Sequence, residues 1–376
     1  MKKNYISALA VLACVAVFCT ISGNSFHQMR TATEEIIPGE GVTEVRMLSD
    51  YFPDLAGTAG DTQIYVLQGE QEGGSCLILG GTHANELGGH MGAVLFVENA
   101  KVEAGTLYVI PRTNNSAFTH NDPQEGHPST VHITTDEGNV REFIHGSRAT
   151  NPVDQWPDPD VYVNYMGQSL SGSENRNINR TYPGKADGTL TEMMSYGIVQ
   201  LINTENIDVT VDLHEASPEY PVINALIAHE RAMNLASNVV VDMQMERVQI
   251  SLEPSPTDLR GLTHRELGDH TDTLALLMEA PNPAQGRLRD RTDEALVLTG
   301  KSETYVKAGE IGQLYVPYDE NGWPIEVRCA RHVFGIERIL ANYSEMYEEP
   351  IIVTGMPSYD ELVKNGMGPY LNEPTT

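Results

Sequence analysis

Four short clusters in this chain carry side chains whose types and spacing could do chemistry together. His83 and Glu86 stand three residues apart, directly after Leu77-Ile78-Leu79 and the flexible turn Gly80-Gly81-Thr82. An imidazole and a carboxylate presented side by side at a strand end are both good zinc ligands, and a catalytic zinc takes three protein ligands and keeps one position open. His214, which follows Val211-Asp212-Leu213, completes a His, Glu, His set. Two neutral imidazoles and one carboxylate would leave zinc with one net positive charge. It could then polarise a carbonyl and bring the pKa of bound water down toward ~7. Glu279, after Leu276-Leu277-Met278, would take a proton from that water and pass it to a leaving nitrogen. Arg176 and Arg180 would supply fixed positive charge, one for a developing oxyanion and one for a substrate carboxylate, and a planar guanidinium suits both tasks. Each cluster alone also has a plainer reading. His-x-x-Glu occurs on solvated helix faces, two arginines four apart can sit on a turn in water, and a lone strand-end Glu is usually exposed.

What must position these residues is legible in the hydrophobic pattern. Residues 62–67 and 76–79 read as strands, and 86–100 carries helix periodicity through Leu87, Met91, Val94, Leu95 and Val97. Further strands are expected over 106–110, 207–213, 221–228 and 271–278, with helices over 190–203, 230–245, 293–306 and 331–347. Between 112 and 175 lies a long irregular segment rich in Asn, Asp, Pro, Gly and Ser, and loops of that size are usually functional or hold minor structure of their own. Strands alternating with helices point to an α/β sheet covered on both faces. In such sheets sites form at the carboxyl ends of strands. His83, His214 and Glu279 all follow apolar strands, which argues that they belong to one site.

These motifs resemble those of the zinc carboxypeptidase superfamily, and within it the succinylglutamate desuccinylase/aspartoacylase-like deacylases. Gly80-Gly81-Thr82-His83-Ala84-Asn85-Glu86 is similar to that family's Gly-x-x-His-Gly-Asn-Glu, with Ala84 in place of a glycine. Asn175-Arg176-Asn177-Ile178-Asn179-Arg180-Thr181-Tyr182-Pro183-Gly184 is similar to its Gly-Arg-Asp-Leu-Asn-Arg-x-Phe-Pro-Gly segment, Asp212-Leu213-His214 matches its third motif, and Leu277-Met278-Glu279 is similar to the strand end bearing its catalytic glutamate. The resemblance spans roughly residues 62–285. It implies a three-layer α/β/α fold with a mixed central sheet, and one zinc per chain held by His83, Glu86 and His214. It further implies Glu279 as general base and Asn179-Arg180 as a carboxylate-binding pair. Arg176 is assigned to the oxyanion, although the family often places that arginine upstream, where Arg112, Arg141 and Arg148 compete. Asp212 is expected to orient His214 rather than ligate. His264, Tyr162, Tyr165 and Tyr182 are candidates for touching substrate. The interval from Glu86 to His214 is nearer that of the peptidases, while that from His214 to Glu279 is nearer the deacylases.

Composition bounds the partners. The chain has 376 residues and a formal net charge of −28, which disfavours nucleic acid and anionic membrane surfaces. Residues 1–23, basic at Lys2 and Lys3 and then apolar to Ile21, read as a signal peptide or an uncleaved N-terminal anchor. Membrane contact is expected only through that segment, and an extracytoplasmic location follows from it. Cys76 and Cys329, the two cysteines beyond it, do not make a disulfide framework. We expect an N-terminal arm over 24–60, a zinc-dependent hydrolase domain over 61–350 with 112–175 as a long loop or insertion, and a polar tail over 351–376. The function expected is deacylation of an N-acyl amino acid or a related carboxylate-bearing amide. The alternatives are an exported metallocarboxypeptidase acting on peptide or cell-wall peptide C-termini, and a zinc-binding protein without catalysis.

Overall fold

The structure, a computed structural model, describes residues 2–121 and 126–374. Positions 122–125 of the expected long loop, Met1 of the leader and the last two residues of the tail lie outside the described residues.

The strands are β1 (Glu44–Met47), β2 (Gln63–Gln68), β3 (Gln71–Leu79), β4 (Lys101–Ile110), β5 (Thr130–Thr134), β6 (Val140–Ile144), β7 (Val161–Val163), β8 (Ser169–Ser171), β9 (Val209–Ala216), β10 (Ala225–Ala228), β11 (Ser251–Pro254), β12 (Leu274–Pro281) and β13 (Ile352–Thr354). The α-helices are α1 (Lys2–Thr31), α2 (Leu87–Asn99), α3 (Leu190–Glu205), α4 (Met233–Met245), α5 (Thr263–His270), α6 (Glu294–Thr299), α7 (Glu303–Glu310), α8 (Ile325–Tyr347) and α9 (Tyr359–Asn365). Nine strands form one mixed sheet in the order β1-β2-β4-β3-β9-β12-β10-β11, with β13 added against β4. The centre, β4-β3-β9-β12, is parallel, while β2 and β10 run antiparallel to it on either side.

Alternation along β3 shows why the sheet is sandwiched. Cys76 and Ile78 join Met91, Val94 and Leu95 of α2 and Val333, Ile336 and Ile339 of α8 on one face, whereas Leu77 and Leu79 join Met194, Ile198 and Leu201 of α3 on the other. A strand buried on both faces reads as a continuous apolar run, as this one does. The result is the expected three-layer α/β/α architecture with a mixed sheet.

Local chemistry sets the helix that carries the first motif. Gly88 and Gly89 open α2, and a Cβ on either would lie 2.4 Å from a Glu215 carboxylate oxygen or 2.3 Å from the Leu213 carbonyl oxygen. Their bare backbones let α2 close on β9, which brings Glu86 to His214. On the other face, α3 begins with Thr189 capping the Glu192 amide while Glu192 returns the bond, a capping box.

Several boundaries differ from expectation. β9 and β12 run on through His214 and Glu279, so these residues lie within the last turns of their strands rather than after them. The helix expected over 293–306 is two helices, split where Gly300 takes a left-handed conformation. The irregular segment holds two hairpins, β5–β6 and β7–β8. Neither the arm nor the tail is peripheral. β1 joins the main sheet and Leu48 and Leu55 are buried, while β13 also joins it and Leu362, Met367 and Leu371 enter the main core. Both ends of the domain meet at the buried Glu98. Its carboxylate accepts the Ile37 amide at 3.2 Å and the Asn372 amide at 2.6 Å and pairs with Arg141, and the Asn372 side chain donates to the Ile37 carbonyl at 3.0 Å. From Asn4 to Thr31 α1 is mostly exposed, and that stretch is long and apolar enough to cross a membrane. Cys76 and Cys329 are buried and unbonded to each other.

Candidate metal centre

Three parallel strands, β3, β9 and β12, end at one place, and the register pairs His214 with Glu279 directly across from each other. The β3 end turns through Gly81, at positive φ, and delivers His83 and then Glu86 at the cap of α2. The Glu86 carboxylate sits between two imidazoles: Oε1 is 2.7 Å from His83 Nδ1 and Oε2 is 2.9 Å from His214 Nδ1. One donor atom from each of the three residues lies within 4.8 Å of the others, and all three side chains are buried.

The far sides of the rings are anchored. His214 Nε2 meets Asp212 Oδ2 at 2.8 Å, and Asp212 Oδ1 accepts the Thr82 hydroxyl at 2.6 Å. His83 Nε2 meets Asn177 Oδ1 at 3.0 Å, while Asn177 Nδ2 donates to Glu174 at 2.9 Å. An acceptor behind each Nε2 favours the tautomer whose Nδ1 is free to ligate a metal on the Glu86 side. Acceptors behind ligating imidazoles fix tautomer and ring orientation in this way at metal sites. The donor set, two imidazole nitrogens and a carboxylate, fits zinc. Burial, with Arg148 adding to it, holds the His83 ring down at about 4. Burial pulls the same way on His214, but the Asp212 and Glu86 carboxylates outweigh it and hold that ring well above its ordinary value.

Glu279 faces the same cavity. Its Oε2 is buried without a hydrogen-bond partner, and burial pushes the carboxyl up to about 8, with the Glu86 carboxylate adding to the effect. The cavity, about 400 Å³, is also lined by Arg148, Asn179, Arg180, His264 and the apolar Val222, Ile227 and Leu277. Asn179 Oδ1 accepts from the backbone and hydroxyl of Thr263 at 2.8 and 3.0 Å, which fixes the amide and leaves its NH2 as the free end. Arg180 is braced on the Asn179 carbonyl at 2.6 Å. His264 bonds Ser255 Oγ at 2.8 Å, and burial keeps it neutral, at about 3.

Arg176 is not brought to this cavity. Its Nε and Nη2 form a bidentate pair with Asp158 at 2.8 and 3.0 Å, and Nη1 donates to the Thr150 carbonyl. It therefore braces the irregular segment. Arg148 does line the cavity, with Nη1 3.4 Å from both Glu86 Oε1 and His83 Nδ1. Of the other competitors, Arg141 is committed to Glu98 and Arg112 lies over the Phe118 ring. None of Tyr162, Tyr165 and Tyr182 lines the cavity. Tyr220 and Glu215 do, and sequence reasoning missed both. Glu215 is fully buried against Arg328, at 2.9 and 3.0 Å, and accepts the Gly88 amide at 3.0 Å and the Asn282 side chain at 2.9 Å. Its own backbone amide donates to Glu86 Oε2 at 3.0 Å. The signal for Glu215 was its place next to His214.

No family model matches the sequence, and no curated protein matches it. The structure is similar to solved structures at low identity. A succinylglutamate desuccinylase from a Silicibacter species is 17% identical, over 60% of this chain and 55% of that one, with a TM-score of 0.38. The product-bound Cell Shape Determinant protein Csd4 from Helicobacter pylori is 13% identical, over 80% and 59%, with a TM-score of 0.46. A metallo-carboxypeptidase from Burkholderia cenocepacia is 11% identical, over 85% and 68%, with a TM-score of 0.44. The chain thus spans little more than half the length of the first two.

Proposed function

We propose that this protein is a zinc-dependent amide hydrolase with one zinc held by His83, Glu86 and His214. The observation that carries the reading is the convergence of two Nδ1 atoms on the Glu86 carboxylate with both Nε2 sides anchored, beside a Glu279 whose buried Oε2 has no hydrogen-bond partner. Zinc held there would supply Lewis-acid polarisation and an acidified water. Glu279, at the cavity beside the three ligands, is placed to hold a proton at its carboxylate and to pass it to a leaving nitrogen. Arg148 stabilises the negative charge developing on the carbonyl oxygen, in place of Arg176. Asn179 and Arg180 hold a substrate carboxylate, the amide donating one bond and the guanidinium a charge-assisted one. The first substrate class is an N-acyl amino acid or related carboxylate-bearing small amide. The second reading, a metallocarboxypeptidase, is favoured by the cavity's extension along the apolar Val222, Ile227 and Leu277, which leaves room for a side chain beside the carboxylate site. The exposed apolar α1 supports an extracytoplasmic location, by export or by anchoring.

Mass spectrometry on a panel of N-acyl amino acids and of peptides with free or blocked C-termini tests the function. Release of acyl groups selects the deacylase, and release of C-terminal residues that blocking abolishes selects the carboxypeptidase. Inertness toward the whole panel with zinc bound overturns the hydrolase reading. His83→Ala is expected to lose most of its bound zinc, and unchanged metal content by elemental analysis would remove His83 from the ligand set. Arg148→Ala is expected to lower kcat by roughly 10²–10³-fold, on the scale of a lost oxyanion donor. Arg176→Ala should leave kcat near the parental value and instead lower the unfolding midpoint. The reverse pattern would restore the original assignment.

A further inference from the structure

Four carboxylates line the cavity, and three are accounted for. Glu86 is held between the imidazoles, Glu215 is paired with Arg328, and Glu279 lies across from His214. The fourth, Glu253, has no hydrogen bond or ion pair with any of the described residues, yet it lines the same space as the metal ligands.

The sheet register says where it stands. Glu253 of β11 is level with Ile227 of β10, Ile227 with Leu277 of β12, and Leu277 with Asp212 of β9. Residues level with one another across a sheet share a face, and so do residues two apart along a strand. Glu253, Ile227, Leu277 and Glu279 therefore all point to the cavity side. Two strand spacings sideways and two residues along separate the backbones of Glu253 and Glu279 by about 12 Å. The ground between them is apolar. Ile227 and Leu277 are buried together with Ala225, and Val222 packs on the group. Arg148 and Arg180 line the same cavity, Arg148 beside Glu86 and His83 and Arg180 beside Asn179, while Glu253 stands across the apolar floor from Glu279.

A molecule matched to this arrangement carries a carboxylate at one end, an aliphatic stretch, and a positive charge at the other end. Long basic side chains have this character, because their methylene stems lie on apolar surface while the charged head seeks a partner. We propose that Glu253 is a specificity-determining residue that receives an ammonium or guanidinium group at the tip of an aliphatic substrate side chain, whose own carboxylate is held by Asn179 and Arg180. The proposal rests on the hydrolase reading above and narrows its substrate class from carboxylate-bearing amides to those of basic amino acids. It holds for either chemistry at the scissile bond, since the released amino acid is the same.

The test compares pairs of substrates that differ only at the side-chain tip: N-acetyl-lysine against N-acetyl-norleucine, and a peptide ending in lysine against one ending in norleucine. The full zinc-loaded chain should favour lysine by roughly 10- to 100-fold in kcat/KM, the worth of one charge-assisted bond. Because that bond is made in the ground state as well, the difference should lie mostly in KM. Glu253→Gln should bring the pair to near parity, chiefly by raising KM for the lysine member, with zinc content unchanged. Glu253→Lys should turn the preference toward an acidic tip, N-acetyl-glutamate or a peptide ending in glutamate. Hydrolysis of both members at equal rates by the parental chain, or a lysine preference that survives in Glu253→Gln, overturns the assignment while leaving the hydrolase intact. Failure to hydrolyse any of these substrates, with zinc bound, overturns both.

Discussion

Glu279→Gln should bind a full equivalent of zinc and turn over substrate roughly 10²–10⁴-fold more slowly, the range of a lost general acid–base group. Glutamine keeps the shape and volume of the side chain at a position already walled by β9 and β10, so the fold has no reason to change. What it removes is the basic oxygen. Glu279 Oε2 is buried and engages no donor, so the carboxylate does no structural bonding there that the amide would forfeit. The metal set does not depend on it either, because His83, Glu86 and His214 are braced by Asn177, Asp212 and the Glu215 amide. Metal analysis and steady-state kinetics on one preparation decide the matter. Parental kcat with zinc bound would show that another group moves the proton.

Arg328→Ala should destabilise the protein by about 3–5 kcal/mol, the cost of stranding a buried charge. Both Arg328 and Glu215 have fully buried side chains, and the pair links α8 to β9 beneath the metal site. Without the guanidinium, the Glu215 carboxylate keeps only the Gly88 amide and the Asn282 side chain as donors. The double variant Arg328→Met with Glu215→Gln should recover most of that loss, because it removes the stranded charge as well as its partner. Urea unfolding of the two variants reads the difference, and equal midpoints for Arg328→Ala and the parent would mean the pair is not carrying its load. Since the Gly88 amide opens the helix that bears Glu86, the single variant should also bind zinc more weakly.

How much of this was legible beforehand depends on the range of the interaction. The strand before His83 and the helix after it are written locally, in an apolar run, two glycines and a periodic stretch; the strand ends where expected at Leu79 but starts five residues earlier, and the helix matches within one residue at each end. So is the order of His83, Glu86 and His214, which the fold brings together. Arg148 and Arg176 were indistinguishable in sequence, because what separates them is Asp158, a partner supplied by the folding of the irregular segment. Glu215 and Arg328, 113 positions apart, look like two surface charges until the chain between them is folded. β11, α5 and β13 are short and gain their definition from neighbours rather than from their own pattern: β13 exists because β4 offers it an edge. The polar character of the tail concealed three anchors, Leu362, Met367 and Leu371.

The meeting of residues 37 and 372 at Glu98 bears on how the chain could be rewired. A domain whose beginning and end touch can have those ends spliced together and a new pair opened at an exposed turn elsewhere. The turn at Gly312, between α7 and α8, is exposed and lies after every residue assigned to the metal site and its cavity. A circular permutant cut there would reverse the order in which α8 and the β3–β9–β12 core leave the ribosome without moving a ligand. It would separate what the linear order of the chain contributes to folding from what the finished architecture contributes to holding zinc.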